Sequence, residues 1–371
     1  VYKRQGHNSA GKVAEKKQIR CIAQAKRGFV ALIIDGIGQG ERRIEEYKQF
    51  GQLPSAEHRT LGAQAFLAGT HLFSLMAWDV IRAVAYLCSR SEVDCERMGI
   101  TGTSGGGMMS TYILPLEPRI KVSVPACNPN TWSHRVRANL ATDHEQVFFG
   151  AFKEGIDPRG DPLFAHVPRP LLINATTDDN LNPPRGVWEL HSWLYRAYSA
   201  FGHPDRLQTT MVESGHDYNR EQREITYAWM MRWLADDVAP YAEGDPVLED
   251  EKDLWCTPTG DVYDLADSLT PSELVQSYYL KHRVQLQSPK TQPELAQRKR
   301  ELAESTRDLM SLGGNIPEPS VSEKALRVGT GWTARPILLR PEKGILLPAV
   351  WLQVDKSSSG PVVLFLSEKG K

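Results

Sequence analysis

Up to about residue 240 the apolar positions fall into two alternating patterns. Short, nearly unbroken apolar runs are the first. Phe29-Val30-Ala31-Leu32-Ile33-Ile34, with Asp35-Gly36 behind it, has no polar alternation, as expected of a parallel strand buried on both faces. Met98–Gly102, Val122–Val124, Leu171–Ala175 and Gln208–Val212 are further strand candidates. Between them lie helical patterns over 10–27, 68–90, 105–115, 184–201 and 219–236. In the last, Ile225, Trp229, Met230, Trp233 and Leu234 recur at helical spacing. Strand–helix alternation of this kind predicts an α/β, doubly wound, mainly parallel sheet.

Residues 128–168 break the alternation with Asn128-Pro129-Asn130, Trp132 and the aromatics Phe148, Phe149 and Phe152. A cap over the sheet and a long surface connection are equally compatible with that pattern. From 241 the chain turns acidic, with Asp245, Glu249, Asp250, Glu251 and Asp253 as a linker. Polar helical patterns follow at 271–283 and 291–311. Pro317, Pro319 and Gly329 then interrupt, and 335–341, 345–354 and 361–366 read as short strands, with Asp355–Gly360 as a turn. The expected organisation is 6–240, a connector over 241–332, and a further piece over 333–371. The chain opens Val1-Tyr2-Lys3-Arg4-Gln5 without Met and stops soon after Val362-Val363-Leu364-Phe365-Leu366. It reads as truncated at both ends, which leaves its compartment open.

Composition acts mainly by exclusion. The 371 residues are 41% hydrophobic, enough for a substantial core. Net charge is −1, from 44 Lys+Arg against 45 Asp+Glu, so no basic excess argues for nucleic acid. No apolar run approaches the roughly 18 residues of a membrane helix. Cys21, Cys88, Cys95, Cys127 and Cys256 are scattered and form no Cys-x-x-Cys pair, which excludes a zinc ribbon and a disulfide scaffold.

Gly102-Thr103-Ser104-Gly105-Gly106 matches G-x-S-x-G and stands between a predicted strand and a predicted helix. A tight strand-to-helix turn pushes a nucleophilic hydroxyl into a cleft, and flanking glycines relieve the turn. The competing reading is a plain Gly-rich turn. A serine hydroxyl needs a base to take its proton, and that base must be oriented. Gly215-His216-Asp217 follows the 208–212 strand and precedes the last long helix, where a Ser-acid-His order puts the histidine. The acid belongs after the 171–175 strand. Asp178 and Asp179 both stand there, and Asp179, four residues before Pro183, is preferred. Oxyanion donors are expected from the Gly105 N–H and, through its main chain, from His7 in Gly6-His7-Asn8-Ser9-Ala10-Gly11-Lys12.

Together, Gly6-His7 with Gly11-Lys12, Arg27–Leu32 running to Asp35-Gly36-Ile37-Gly38-Gln39-Gly40-Glu41-Arg42, Asp79 with Ile81-Arg82-Ala83, and Arg97–Gly107 resemble the acetyl xylan esterase and dienelactone hydrolase-like branch of the α/β-hydrolase fold. The resemblance spans about residues 6–240. It implies a cofactor- and metal-free carboxylic ester hydrolase acting on a small-molecule or carbohydrate ester, with Ser104, Asp179 and His216 as its triad. It makes Asp79 and Arg82 a structural ion pair. His58 lies near the cleft or at a helix start. The tail, from Glu342-Lys343-Gly344 to Gly370-Lys371, resembles the opening strands of a second such module. Those strands are expected to complete the sheet of 6–240. Competing readings are a serine peptidase of the same fold, a catalytically inactive binding module, and a piece inactivated by truncation.

Overall fold

The computed structural model describes residues 9–43, 54–138, 143–284, 288–312, 318–354 and 362–364. The chain divides into two compact units, Val1–Val284 and Gln285–Lys371.

The first unit is built on four parallel strands in spatial order β1-β2-β3-β4: β1 (Met98–Thr103), β2 (Ile120–Ala126), β3 (Leu171–Thr176) and β4 (Leu207–Val212). Its helices are α1 (Glu15–Ala25), α2 (Pro54–Leu67), α3 (Leu72–Cys88), α4 (Gly105–Tyr112), α5 (Trp132–Arg137), α6 (Asp161–Phe164), α7 (Pro184–Ala200), α8 (Arg220–Ala235) and α9 (Pro271–His282). Every residue of β3 is buried, which is why its sequence shows no polar alternation. Leu171 and Ile173 join Met108 and Tyr112 of α4 and Leu190 and Leu194 of α7 in one core. Leu172, on the other face, joins Val122, Val124 and α8's Trp229, Met230 and Leu234. The sheet is thus covered on both faces, as a strand–helix alternation requires. The β1–β2 register skips Lys121, and Ile120 falls into the first core while Val122 and Val124 face the second. α8 begins at an Asn219–Gln222 capping box. It lies so close to β1 that a Cβ on Gly99 would come 2.6 Å from the Met230 sulfur.

Four expectations change here. Phe29–Ile34 is extended but belongs to no ladder, with Val30, Leu32 and Ile34 exposed, because no strand lies against it among the described residues. The expected boundary at 240 is not a break. Glu243 accepts from Arg223 and Tyr227, and Cys256 and Thr257 donate to Glu41, which joins this stretch to the first unit. Asp79 pairs with Arg42, while the Arg82 guanidinium lies 5.9 Å from the Trp78 ring centre. Cys88 and Cys95, among the cysteines whose scatter argued against a disulfide scaffold, form one disulfide across the turn between α3 and β1.

The second unit contains α10 (Gln292–Leu309) and an antiparallel sheet of β5 (Ser320–Glu323), β6 (Arg327–Gly329), β7 (Trp332–Arg340) and β8 (Leu347–Val354). β7 is the hub, pairing with β5, β6 and β8. The strands expected at 335–341 and 345–354 are therefore present. Their ladder partners are one another, β5 and β6, so among the described residues they do not extend the parallel sheet. Residues 362–364 carry no strand, and the rest of the 361–366 run lies outside the described residues. Among the described residues no single helix is long and apolar enough to cross a membrane.

Candidate active site

Ser104 stands between the last residue of β1 and the first of α4, with φ 57° and ψ −113°. A non-glycine residue in this region is strained by roughly 1–3 kcal/mol and persists only where its surroundings over-determine it. Here the Ser104 N–H donates to Ala126 O (3.0 Å), and its carbonyl accepts from Met108 N as the first bond of α4 (2.8 Å). Gly102 allows the turn to close, since a Cβ there would come 2.6 Å from the Gly106 backbone. Gly105 is the first helical residue, so its N–H has no acceptor inside the helix.

The loops after β3 and β4 continue the parallel pairing beyond the strand ends. Thr177 N donates to Val212 O (2.9 Å) and Asp178 N to Ser214 O (3.0 Å). This brings Asp179 and His216 together, with His216 Nδ1 2.8 Å from Asp179 Oδ2. Asp179 is buried and Asp178 exposed. Burial alone would raise the Asp179 pKa. The pairing with His216 and hydrogen bonds from Asn182 and the Leu181 N–H outweigh it and hold the carboxyl below its ordinary range. An ionised carboxylate only accepts, so the ring proton belongs on Nδ1 and Nε2 carries the lone pair. That Nε2 is buried and, among the described residues, has no hydrogen-bond partner.

Asn182 and Cys127 escaped the sequence reading. Asn182 Nδ2 donates to Asp179 Oδ2 (3.1 Å) and to Cys127 O (2.7 Å), fixing the acid loop to the end of β2. The signal available was Asn182 three residues beyond Asp179 in a turn-forming run ending at Pro183. Cys127 takes a positive φ (48°), and its Sγ accepts no charge readily: burial, then the nearby Asp179 carboxylate, push its thiol up to about 11.

His7 lies outside the described residues. Downstream of it, Ser9–Lys12 is firmly held. Ser9 O accepts from Gly40 N (3.2 Å), Lys12 N donates to Asp35, and Lys12 Nζ pairs with Asp35 and Glu41. Glu41 also accepts from the Cys256 and Thr257 N–H groups and the Thr257 hydroxyl. Burial opposes its ionisation, yet these donors bring its pKa down to about 2.

His58, the fifth residue of α2, is fully buried. It is 2.9 Å from Ile37 O, 3.2 Å from Asp143 and 3.6 Å from Glu145, and so ties the 128–168 segment to the sheet side. Of that segment's aromatics, Phe148 packs on Phe73 and Tyr112 in the core, while Phe149 and Phe152 are exposed. Two clusters have metal-type ligand atoms within 4.8 Å of one another: Cys127/Asp179/His216 and His58/Asp143/Glu145. Each contains a histidine already bonded to its carboxylate, so internal pairing accounts for both.

A serine on a strained strand–helix turn, with an Asp–His pair at the carboxyl ends of neighbouring parallel strands, defines the α/β-hydrolase fold class. Comparison with known proteins agrees. The Prolyl oligopeptidase family matches residues 76–148, which include the Ser104 turn. YtaP of Bacillus subtilis (strain 168), which is named as a hydrolase, is 26% identical over 207 residues, covering 56% of this chain and 66% of its own. The structure of methylesterase BT1017 superposes with a TM-score of 0.53 at 20% identity, over 80% of this chain and 59% of that one. The glucuronoyl esterase catalytic domain from Hypocrea jecorina gives 0.39 at 18% identity, over 52% and 60%. The chain thus spans less than two thirds of the length of these relatives. It has the α/β-hydrolase fold.

Proposed function

We propose that the chain is a serine carboxylic ester hydrolase that removes acetyl groups from carbohydrate esters. The observation that carries this reading is the His216–Asp179 pair, whose unpartnered Nε2 lies on the same sheet rim as the Ser104 turn. In this mechanism His216 Nε2 takes the Ser104 proton as Oγ attacks the ester carbonyl. The tetrahedral oxyanion rests on the N–H groups of Gly105 and His7, each worth on the order of 2.7–4 kcal/mol to the transition state. His216 then gives the proton to the departing alcohol. Water, deprotonated by the same ring, attacks the acyl-enzyme and releases acetate and Ser104. Asp179 keeps the imidazole in the required tautomer and faces the imidazolium as it forms.

The near-neutral chain suits a neutral ester, which needs no electrostatic steering. The name of the methylesterase with the same fold is compatible with an ester substrate. Hydrolysis of p-nitrophenyl acetate by the wild type and by Ser104→Ala tests the reading: equal rates overturn it. A second reading, a serine peptidase, draws on the Prolyl oligopeptidase family match. Cleavage of an aminoacyl anilide at a rate above that of the acetyl ester would favour it. We also carry forward, as a proposal, that residues 333–371 are the opening of a second hydrolase-like module.

A further inference from the structure

His216 stands on the loop between β4 and α8. A loop alone does not hold an imidazole within the roughly half an ångström that productive geometry requires. The two residues that follow it, Asp217 and Tyr218, are each anchored to a different part of the sheet.

Tyr218 is buried, and its hydroxyl lies 2.8 Å from Thr101 Oγ1 and 2.7 Å from Thr226 Oγ1. Thr101 belongs to β1, three residues before Ser104, and its hydroxyl donates to Val124 O of β2 (2.8 Å). Thr226 belongs to α8, where the Gln222 carbonyl accepts from Asn174 Nδ2 of β3 (2.7 Å). One proton order serves the row: Thr226 donates to Tyr218, Tyr218 to Thr101, and Thr101 to the Val124 carbonyl. The Arg20 guanidinium of α1 lies 5.0 Å from the centre of the Tyr218 ring. The hydroxyl thus joins the strand that carries the Ser104 turn to the helix that follows His216.

Asp217 is held from the opposite side. Its carbonyl accepts from the Cys127 thiol, with Sγ 3.0 Å away. That thiol, pushed up to about 11, keeps its proton and remains a donor. Gln222 Nε2 donates to the same sulfur (3.6 Å), and Cys127 N donates to Asn174 O (3.0 Å). The Cys127 carbonyl accepts from Asn182, which in turn bonds Asp179. The sulfur, an Asp179 oxygen and a His216 ring nitrogen lie within 4.8 Å of one another. Cys127 is therefore bonded to the loop of the acid on one side and to the loop of the histidine on the other.

We propose that the Tyr218 hydroxyl and the Cys127 thiol are positioning groups for His216, the first setting its ring against Ser104 and the second against Asp179. The inference rests on the serine hydrolase reading above and deepens it, since both groups act through His216.

Labelling of Ser104 by a fluorophosphonate tests this. The serine oxygen displaces fluoride from phosphorus while His216 takes the proton, so no natural substrate has to be identified. Tyr218→Phe and Cys127→Ala should each be labelled at least roughly tenfold more slowly than wild type, within the about hundredfold that a 1 Å misplacement can cost. Cys127→Ser keeps a donor and should recover most of the loss. On p-nitrophenyl acetate the same two variants should lose kcat with KM unchanged. In an Asp179→Asn background each substitution should alter the labelling rate by less than about twofold, because the ring being positioned is no longer a competent base. A packing role would slow labelling equally in both backgrounds. A wild-type rate in either single variant, or equal losses with and without Asp179, overturns the inference and leaves the hydrolase reading standing. A wild type that takes no label at Ser104 overturns that reading and the inference with it.

Discussion

His216 Nδ1 lies 2.8 Å from Oδ2 of the buried Asp179, while the neighbouring Asp178 carboxylate is exposed and bonded to the Thr177 hydroxyl. Adjacent residues of a loop point to opposite sides, and only one can reach the imidazole. If the pair sets the tautomer, Asp179→Asn should lower kcat on p-nitrophenyl acetate by about 10⁴. Asp178→Asn should remain within a few-fold of wild type. A reversed order in the two assays would transfer the acid role to Asp178.

The Ser104 backbone gives a second, independent expectation. At φ 57° and ψ −113° a Cβ is strained and glycine is not. Ser104→Gly and Ser104→Ala should both abolish ester hydrolysis, yet Ser104→Gly should be the more stable by about 1 kcal/mol. Urea midpoints with unchanged slopes decide it; an Ala variant as stable as the Gly variant would mean that the turn is unstrained.

The buried His58 sets a pH dependence of stability. Burial disfavours its charge, but Asp143, Glu145 and the Ile37 carbonyl more than offset that and raise its pKa to about 9, against about 6.5 for an unfolded histidine. A raised folded-state pKa contributes stability that is fully present below about pH 6.5 and is lost as pH rises through about 9. Denaturation midpoints should fall over that window, and His58→Gln should flatten the fall. The same slope in the variant would assign it to another group.

The Cys88–Cys95 bridge closes a short loop, with a sequence separation of 7. Chain-entropy arithmetic gives a loop of this size about 2.5 kcal/mol. Cys88→Ser, or reduction of the wild type, should lower unfolding free energy by roughly that amount while leaving ester hydrolysis unchanged, since the loop lies at the opposite end of β1 from Ser104. A drop in kcat would show that the bridge also holds β1 in place.

Much of this molecule was legible in its sequence. Short runs rich in apolar and β-branched residues placed β1, β2, β3 and β4 to within a few residues, most clearly β3, which is covered on both faces and has almost no polar positions. The Ser104 turn was readable because it depends on local chemistry: a strand, two glycines and a helix start. The order of acid and histidine likewise singled out Asp179 and His216, which the fold brings to 2.8 Å. What the linear pattern could not convey is pairing between distant segments. Phe29–Ile34 has strand composition but, among the described residues, no ladder, since a ladder needs a neighbour and composition specifies none. The partner of Asp79 proved to be Arg42, 37 residues away, rather than Arg82 one turn along. The acid stretch near Glu243 and Thr257 reads as linker, yet the buried Arg223 and Glu41 hold it down. Sequence by itself determined the elements and the chemistry on offer, because these follow from local periodicity and residue type. Tertiary structure alone decided which groups meet, because burial and ion pairing depend on three-dimensional distance, which the order of residues does not contain.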